Sequence, residues 1–74
     1  MAKKSGDTGT YRVTEIIGTS KTSWEDAAKS AVETAAQSLH DLRIAEITKL
    51  DMRIDSGKVV QYRARVSLSF KYAP

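Results

Sequence analysis

The sequence contains no cysteine, and its 74 residues include one histidine, one tryptophan and one proline. Without cysteine the chain forms neither a disulfide nor a thiolate-ligated zinc site, and His40 alone does not replace such ligands. A single core of this size rarely supplies more than roughly 3–5 kcal/mol, so small domains usually add another stabilising device. The composition therefore favours oligomerisation, with an oxygen-ligated cation as a second device.

Several functional classes also lack support in the sequence. No apolar run approaches the roughly 20 residues that a membrane span needs, and the polar, basic start predicts no secretory signal. Catalytic motifs such as G-x-S-x-G, a phosphate-binding glycine loop or H-E-x-x-H do not occur. His40 stands beside Asp41 at the end of a predicted helix, where a capping or surface role is favoured over that of a general base. We predict a non-enzymatic protein of the cytoplasm, whose reducing conditions fit the lack of cysteine.

The net charge of +3 is a mild basic bias, from 12 Lys and Arg against 9 Asp and Glu. Part of it lies in residues 1–9, which are polar and predict a disordered tail ahead of one domain over residues 10–74. A basic sheet face could contact nucleic acid, but readers of single strands set aromatic rings among the basic residues. In the last strand of this chain, the aromatic residues alternate with the basic residues and so lie on the opposite face. An anion- or nucleic-acid-binding module is therefore the disfavoured alternative.

The first regular element is predicted to be a short strand from Tyr11 to Gly18. One parity of this strand carries most of its large apolar side chains: Tyr11, Val13 and Ile17. The run Gly18-Thr19-Ser20 combines a residue without a side chain with two small hydroxyl residues, and we expect it to end the strand.

A helix of about 17 residues is predicted next, because apolar residues recur at helical spacing. Two capping boxes offer alternative starts, Thr22 with Glu25 or Ser23 with Asp26. The apolar stripe is mostly alanine, which would allow close packing: Trp24, Ala27, Ala28, Ala31, Val32, Ala35, Ala36 and Leu39. Trp24 begins this stripe, so a core or interface role is favoured over ligand stacking.

Two long extended segments follow, joined by the turn signal Asp55-Ser56-Gly57-Lys58. The last strand alternates most clearly, with these apolar residues on one parity: Val60, Tyr62, Ala64, Val66, Leu68, Phe70 and Tyr72. The strand before it carries one apolar parity with Ile47 on the other: Leu42, Ile44, Leu50, Met52 and Ile54. Such a pair has one buried and one wet face.

A three-residue turn would align Ile54 with Val60 and match the apolar parity of both strands. The wet face would then hold three polar pairs: Arg53 with Gln61, Asp51 with Arg63, and Lys49 with Arg65. Cross-strand salt pairing on a solvated face is the favoured interpretation. The alternative is a pocket between symmetry copies, where Arg63 and Arg65 would bind an anion or carboxylates would bind a cation.

These strands are about twice the usual length of 5–6 residues, and one helix cannot cover them. Apolar surface and long strand edges are left without a partner inside the subunit. Closed self-association is the simplest way to cover both.

The chain resembles the dodecin family over about residues 11–72. The resemblance rests on the first strand with its Gly18-Thr19-Ser20 step, the alanine-rich helix, Ala45-Glu46-Ile47 and the run from Tyr62 to Phe70. It implies an α+β subunit of order β-α-β-β, with a three-stranded antiparallel sheet wrapped around one helix. It also implies a hollow homododecamer that binds and stores flavins such as riboflavin and flavin mononucleotide without catalysis.

Three positions depart from the flavin-binding pattern that this resemblance supplies. Ile44 stands where those proteins carry a tryptophan that stacks on the flavin, which removes about 0.5–1.5 kcal/mol of ring stacking. Arg63 replaces a glutamine that hydrogen-bonds the flavin edge, and arginine offers no acceptor. Asp51 replaces an arginine that meets phosphate, and aspartate repels phosphate. A flavin-binding protein with an atypical pocket therefore remains only an alternative.

The changes resemble a flavin-less branch of the family for which calcium binding has been described. Residues 23–25 and 51–56 carry that likeness. We predict an oligomeric small-ligand storage protein with a calcium site, whose candidate ligands are Asp51, Asp55 and Glu46. For Asp51, simple neutralisation of Arg63 is an equally favoured role.

Overall fold

The computed structural model describes residues 9–72, so the predicted tail lies outside the described residues except for Gly9. Four elements follow one another along the chain: β1 (Tyr11–Ser20), α1 (Trp24–Ala35), β2 (Leu42–Asp55) and β3 (Lys58–Lys71). The three strands form one antiparallel sheet in the order β1-β3-β2. The predicted β-α-β-β fold is confirmed.

The core lies between α1 and the middle of β3. Three alanines of the helix are buried against three residues of the central strand: Ala27, Ala31 and Ala35 against Ala64, Val66 and Leu68. Alanine ends at Cβ, so the helix can lie close to the sheet. The closest approach is at Gly18, where a Cβ would lie 2.1 Å from the carbonyl oxygen of Ala27. Only glycine fits at that position.

The predicted end of the first strand at Gly18 is wrong, because β1 continues to Ser20. Ser20 still pairs with Tyr62 of β3, so the small residues serve helix packing and do not break the strand. The Ser20 hydroxyl accepts a 2.9 Å hydrogen bond from the backbone N–H of Thr22 and donates one of 2.7 Å to Asp26 Oδ2. It thereby ties the end of β1 to the first turn of α1.

The helix begins in the second of the two predicted frames. Ser23 is the N-cap, and its hydroxyl accepts a 3.0 Å hydrogen bond from the backbone N–H of Asp26. The helix has 12 residues and is shorter than predicted, because the chain leaves it through a turn after Ala35. Leu39 nevertheless packs against the core from this turn, which is why the apolar spacing ran past the true end.

The hairpin turn contains two residues, Ser56 and Gly57, and the predicted three-residue turn is wrong. Both have positive φ, 51° and 77°, as a type I′ turn requires. Ile54 therefore pairs with Val59, and Val60 is an extra residue that forms a bulge in β3. The bulge restores the predicted register beyond it, so all three polar pairs are confirmed: Arg53 with Gln61, Asp51 with Arg63, and Lys49 with Arg65.

Two further bulges, at Arg43 and Thr48, interrupt β2. Each bulge reverses which face the following residues take. Ile47 therefore pairs with Val66 on the helix side, whereas Ile44 pairs with Ser69 on the other side. The predicted single apolar parity of this strand is wrong for both residues.

In β1, the face that carries most of the large apolar side chains is not the face that packs against the helix. Ile16 pairs with the buried Val66 and packs on the core. The three apolar residues of the other parity face away from α1: Tyr11, Val13 and Ile17. The two faces of the sheet thus both carry apolar side chains.

The helix leaves much of the sheet uncovered. It packs against β1 and β3 and barely reaches β2. On the helix side of β2, Ile47, Leu50 and Met52 keep 51%, 49% and 43% of their surface exposed. The molecule measures 58 × 20 × 16 Å, because the hairpin extends beyond the helix. Within residues 9–72, no helix combines the length and apolar character needed to cross a membrane.

Candidate functional site

The side of the sheet opposite α1 is the open face, and its middle holds the charged residues. Paired residues of neighbouring strands stand side by side on one face, so they form rows across the sheet. The three central rows, from β1 through β3 to β2, are Glu15–Ser67–Glu46, Ile17–Arg65–Lys49 and Thr19–Arg63–Asp51. The candidate site is built from the last two rows.

Asp51 and Arg63 form a bidentate ion pair at the centre of this site. The Arg63 Nε atom donates to Asp51 Oδ1 at 2.7 Å, and Nη2 donates to Oδ2 at 2.9 Å. The hydrogen bond and the positive charge lower the pKa of Asp51, and the partner carboxylate raises the pKa of Arg63. Both side chains keep about two fifths of their surface exposed, at 42% and 40%. A ligand can therefore reach the pair from solvent.

The backbone of Asp51 is held from the helix side. The indole N–H of Trp24 donates a 2.9 Å hydrogen bond to the Asp51 carbonyl oxygen. The Trp24 ring also meets the Tyr62 ring edge to face, with 5.1 Å between centroids. The favoured packing role of Trp24 agrees with these contacts, which fix the strand position that carries the Asp51 carboxylate.

A second ion pair borders the site and was missed in the sequence. Arg65 Nη1 lies 3.6 Å from Glu15 Oε1, which joins β3 to β1 diagonally across the open face. The only signal for it was that Glu15 interrupts the apolar parity of its strand. Lys49 and Arg65 both act to lower the pKa of Asp51, after the larger effect of Arg63.

Of the three predicted flavin-site positions, the structure brings two together. Asp51 and Arg63 are in contact, but Ile44 lies seven residues away along β2, roughly 20 Å at the rise of a strand. Ile44 is 64% exposed on the open face, in a row with Ser69 and Val13. Within one subunit, these three positions do not form a shared pocket.

The predicted metal ligands occupy three separate places along β2. Glu46 pairs with Ser67, Asp51 with Arg63, and Asp55 with Lys58 at the turn. At about 3.3 Å per residue, neighbouring members of the set are more than roughly 10 Å apart. Within the described part of the chain, no three acidic or histidine side chains come close enough to hold a metal ion. Within one subunit, these three residues therefore do not form a shared cation site.

A groove of about 810 Å³ lies between β1 and α1, on the other side of the sheet. Its lining mixes apolar side chains, among them Ile16, Leu39 and Phe70, with threonine and serine hydroxyls, and Arg12 is the one charged residue among the described residues that line it. The sequence pattern gave no sign of it, because its lining joins residues of β1, α1 and β3 that are separated along the chain.

These features define a class of protein: a small α+β domain with a shallow charged site on one face of its sheet and extensive uncovered apolar surface. The family model described as Dodecin matches residues 10–73. The chain belongs to the dodecin family.

Individual relatives within the family can also be compared with the chain. It is 47% identical over 64 residues to calcium dodecin of Mycobacterium tuberculosis, and the aligned region covers 86% of this chain and 90% of that relative. The structure of that calcium dodecin, described as having a novel calcium-binding site, matches with a TM-score of 0.78 and 48% identity, over 89% of this chain and 94% of the other. Dodecin from Streptomyces coelicolor matches with a TM-score of 0.83 and 35% identity, over 88% and 93%.

Proposed function

We propose that the protein is a homo-oligomeric, non-enzymatic binding and storage protein for a small ligand, assembled as a dodecamer and binding calcium. The observation that carries the proposal is the 47% identity to a calcium dodecin over most of both chains. The cytoplasmic location stays a prediction from the sequence.

The uncovered apolar surface supports assembly. Large side chains that a monomer would bury are exposed on both faces of the sheet, among them Ile44, Ile47, Leu50 and Ile54. Among the described residues, both β1 and β2 are edge strands, and each pairs with β3 alone. Contact with further copies would bury this surface and protect these edges.

Calcium is supported by the chemistry of the open face. It prefers carboxylate and carbonyl oxygens, and takes six to eight of them at roughly 2.3–2.6 Å. Asp51, Asp55 and Glu46 supply carboxylates with substantial solvent access, but from separate rows of one subunit. Assembly and calcium binding are therefore linked in this proposal, because ligands from different copies complete the site.

Light scattering at micromolar concentration tests assembly. The wild type is expected at the mass of twelve chains, and Leu50→Glu is expected to dissociate because it places a charge on the uncovered helix side of β2. Lys29→Glu on the exposed side of α1 makes a charge change without touching that surface, and should assemble normally. A monomeric wild type contradicts the proposal.

Calorimetric titration with calcium tests the ligand. Asp51→Ala is expected to reduce the affinity at least about tenfold, since a charged ligand of a divalent ion is lost. Glu33→Gln on the exposed side of the helix removes the same charge elsewhere and serves as the control. Equal affinities in both variants would remove Asp51 from the site, and the absence of any calcium heat in the assembled wild type would reject calcium.

A further inference from the structure

The free edge of β2 presents backbone hydrogen-bonding groups over one regular segment. The Lys71 N–H of β3 donates to the Asp41 carbonyl oxygen, just before β2, at 3.2 Å. Successive residues of a strand direct these groups to opposite edges, so the odd-numbered residues of β3 from 61 to 71 direct theirs toward β2. Asp51 pairs with one of them, Arg63, and its own N–H and C=O therefore point into the sheet. The groups of three alternate residues point outward to the free edge: Leu50, Met52 and Ile54.

The side chains of this segment, residues 49–55, alternate between charged and apolar. Its charged side chains share the open face: Lys49, Asp51, Arg53 and Asp55. Apart from the ion pair of Asp51 with Arg63, none of them has an ion-pair partner within residues 9–72. The apolar side chains share the helix side and are 49%, 43% and 62% exposed: Leu50, Met52 and Ile54. The segment thus has an unpaired backbone edge and mostly unpartnered side chains.

We infer that the free edge of β2 pairs antiparallel with the same edge of a second copy, about a two-fold axis at Met52. Lys49 then lies opposite Asp55 of the second copy, and Asp51 lies opposite Arg53. On the helix side, Leu50 lies opposite Ile54 and Met52 lies opposite itself. Every charged residue of the segment faces a charge of the other sign, and every apolar residue faces an apolar one. Cross-strand pairs of both kinds stabilise a sheet.

The charge pattern also specifies the register of this pairing. Outward backbone groups must face one another, so the second strand can shift only in steps of two residues. One step in one direction places Asp51 opposite itself and Lys49 opposite Arg53. One step in the other direction places Arg53 opposite itself and Asp51 opposite Asp55. Like charges directly opposite are destabilising, and larger steps run into the turn or the Thr48 bulge.

The pairing would join two subunits into one six-stranded sheet. The two-fold axis runs perpendicular to the sheet, so both helices lie on the same side of it. The outward-facing β2 edges of both copies are then protected, as an exposed strand edge requires. A contact of seven residues is small for a stable dimer. The inference therefore rests on the proposed self-association and assigns one contact within it.

Disulfide trapping tests the register, because the chain has no native cysteine. Met52→Cys places two cysteines at the two-fold axis with Cα atoms about 5.5 Å apart, which a disulfide can bridge. Leu50→Cys is the matched control, since its exposure is similar, 49% against 43%, while its two copies would lie more than roughly 13 Å apart. After mild oxidation, a non-reducing gel should show mostly linked dimers for Met52→Cys and few for Leu50→Cys. Adding Ile54→Cys to Leu50→Cys should restore the linkage.

Charge reversal in the Met52→Cys background tests the ion pairs, with calcium removed by a chelator. Lys49→Asp or Asp55→Lys alone sets like charges opposite one another and should lower the yield of linked dimer at least about twofold. The two reversals together exchange the charges and should restore the yield. Equal yields in all these variants, or a double reversal that stays as low as the single ones, would overturn the inferred pairing.

Light scattering of the reduced variants separates this contact from the proposed dodecamer. An assembled Met52→Cys protein that links no better than Leu50→Cys overturns the β2 contact and leaves the dodecamer standing. A protein that links at Met52→Cys but has only the mass of two chains keeps the contact and contradicts the dodecamer. A monomer that does not link overturns both.

Discussion

The indole N–H of Trp24 donates its hydrogen bond to the backbone carbonyl of Asp51, 27 residues further along the chain. This contact links the first residue of α1 to the strand that the helix otherwise hardly touches. Its acceptor belongs to the residue whose side chain holds Arg63 on the opposite face. One residue thus connects the packing of the helix to the charged site.

Trp24→Phe should lower the free energy of unfolding by at least about 1 kcal/mol, because one hydrogen bond is lost and the smaller phenyl ring fills less of the corner. Urea unfolding at fixed protein concentration measures the change. Tyr62→Phe is the control, since the Tyr62 hydroxyl has no hydrogen-bond partner within residues 9–72. A loss as large in the control would mean that the corner responds to any loss of a polar group, and not specifically to the loss of the indole hydrogen bond.

Because Asp51 and Arg63 form an ion pair, the free energy of unfolding should depend on pH in the acidic range. The pKa of Asp51 is lowered from its ordinary 3.8, so the folded state releases this proton more readily than the unfolded state. The stabilisation is therefore complete above that value and is lost as the pH falls through the lower folded-state pKa. Arg63→Gln should raise the pKa of Asp51, which carbon-detected NMR titration of its carboxyl measures.

The unfolding free energies of wild type and Arg63→Gln should accordingly converge as the pH is lowered from about 6 to about 2. A constant difference over this range would show that Arg63 stabilises the fold through packing alone.

Gly18→Ala should destabilise the subunit strongly. The added Cβ would meet the Ala27 carbonyl oxygen at 2.1 Å and the Ala31 Cβ at 2.7 Å, and overpacking of this kind costs about 1–3 kcal/mol or more. Gly57→Ala meets nothing within 4 Å and is strained only by its φ of +77°, at about 1 kcal/mol. In thermal unfolding, the midpoint temperature of Gly18→Ala should lie well below that of Gly57→Ala. The reverse order would contradict the tight contact at Gly18.

The wild type is expected to quench riboflavin fluorescence only weakly at micromolar protein concentration. Ile44→Trp should bind the flavin more tightly and quench its fluorescence more strongly. An exposed ring on the open face adds stacking of about 0.5–1.5 kcal/mol, a gain of roughly two- to tenfold. Ile54→Trp is matched in exposure, 62% against 64%, and lies at the hairpin end. Similar quenching by both variants would indicate nonspecific stacking, and strong quenching by the wild type would favour the flavin alternative.

The order of elements was predictable because hydrophobic period and turn chemistry act locally. The turn signal, the alanine stripe and the cross-strand pair of Asp51 and Arg63 all follow from neighbours in sequence or from a single register. The helix end was not predictable, since alanine and Leu39 continue the apolar spacing and no glycine marks the stop. The extension of β1 to Ser20 was missed because small residues signal both a break and a close contact.

The site was predictable only in part. Three polar pairs were correct even though the turn length was wrong, since the Val60 bulge compensates for one residue. The separation of Ile44 from Asp51 and the dispersal of the candidate metal ligands depend on the geometry of the whole sheet. The Glu15 contact joins strands that are far apart in sequence, so no local pattern reveals it.

The bulges at Arg43, Thr48 and Val60 divide the hairpin into segments that alternate in and out of phase with one another. Each bulge adds one residue to the strand and so shifts the alternation of side chains between the two faces of the sheet by one position. Deleting Thr48 alone would remove the bulge and leave Ile47 opposite Val66 and Lys49 opposite Arg65. If Thr48 instead took its place in regular alternation, with the pairing of residues 49–53 kept, the residues before it would exchange faces, and Ile47 would turn outward and Glu46 inward. The hairpin should therefore tolerate substitutions, and deletion of a bulge residue, far better than single-residue insertions or deletions elsewhere along its length.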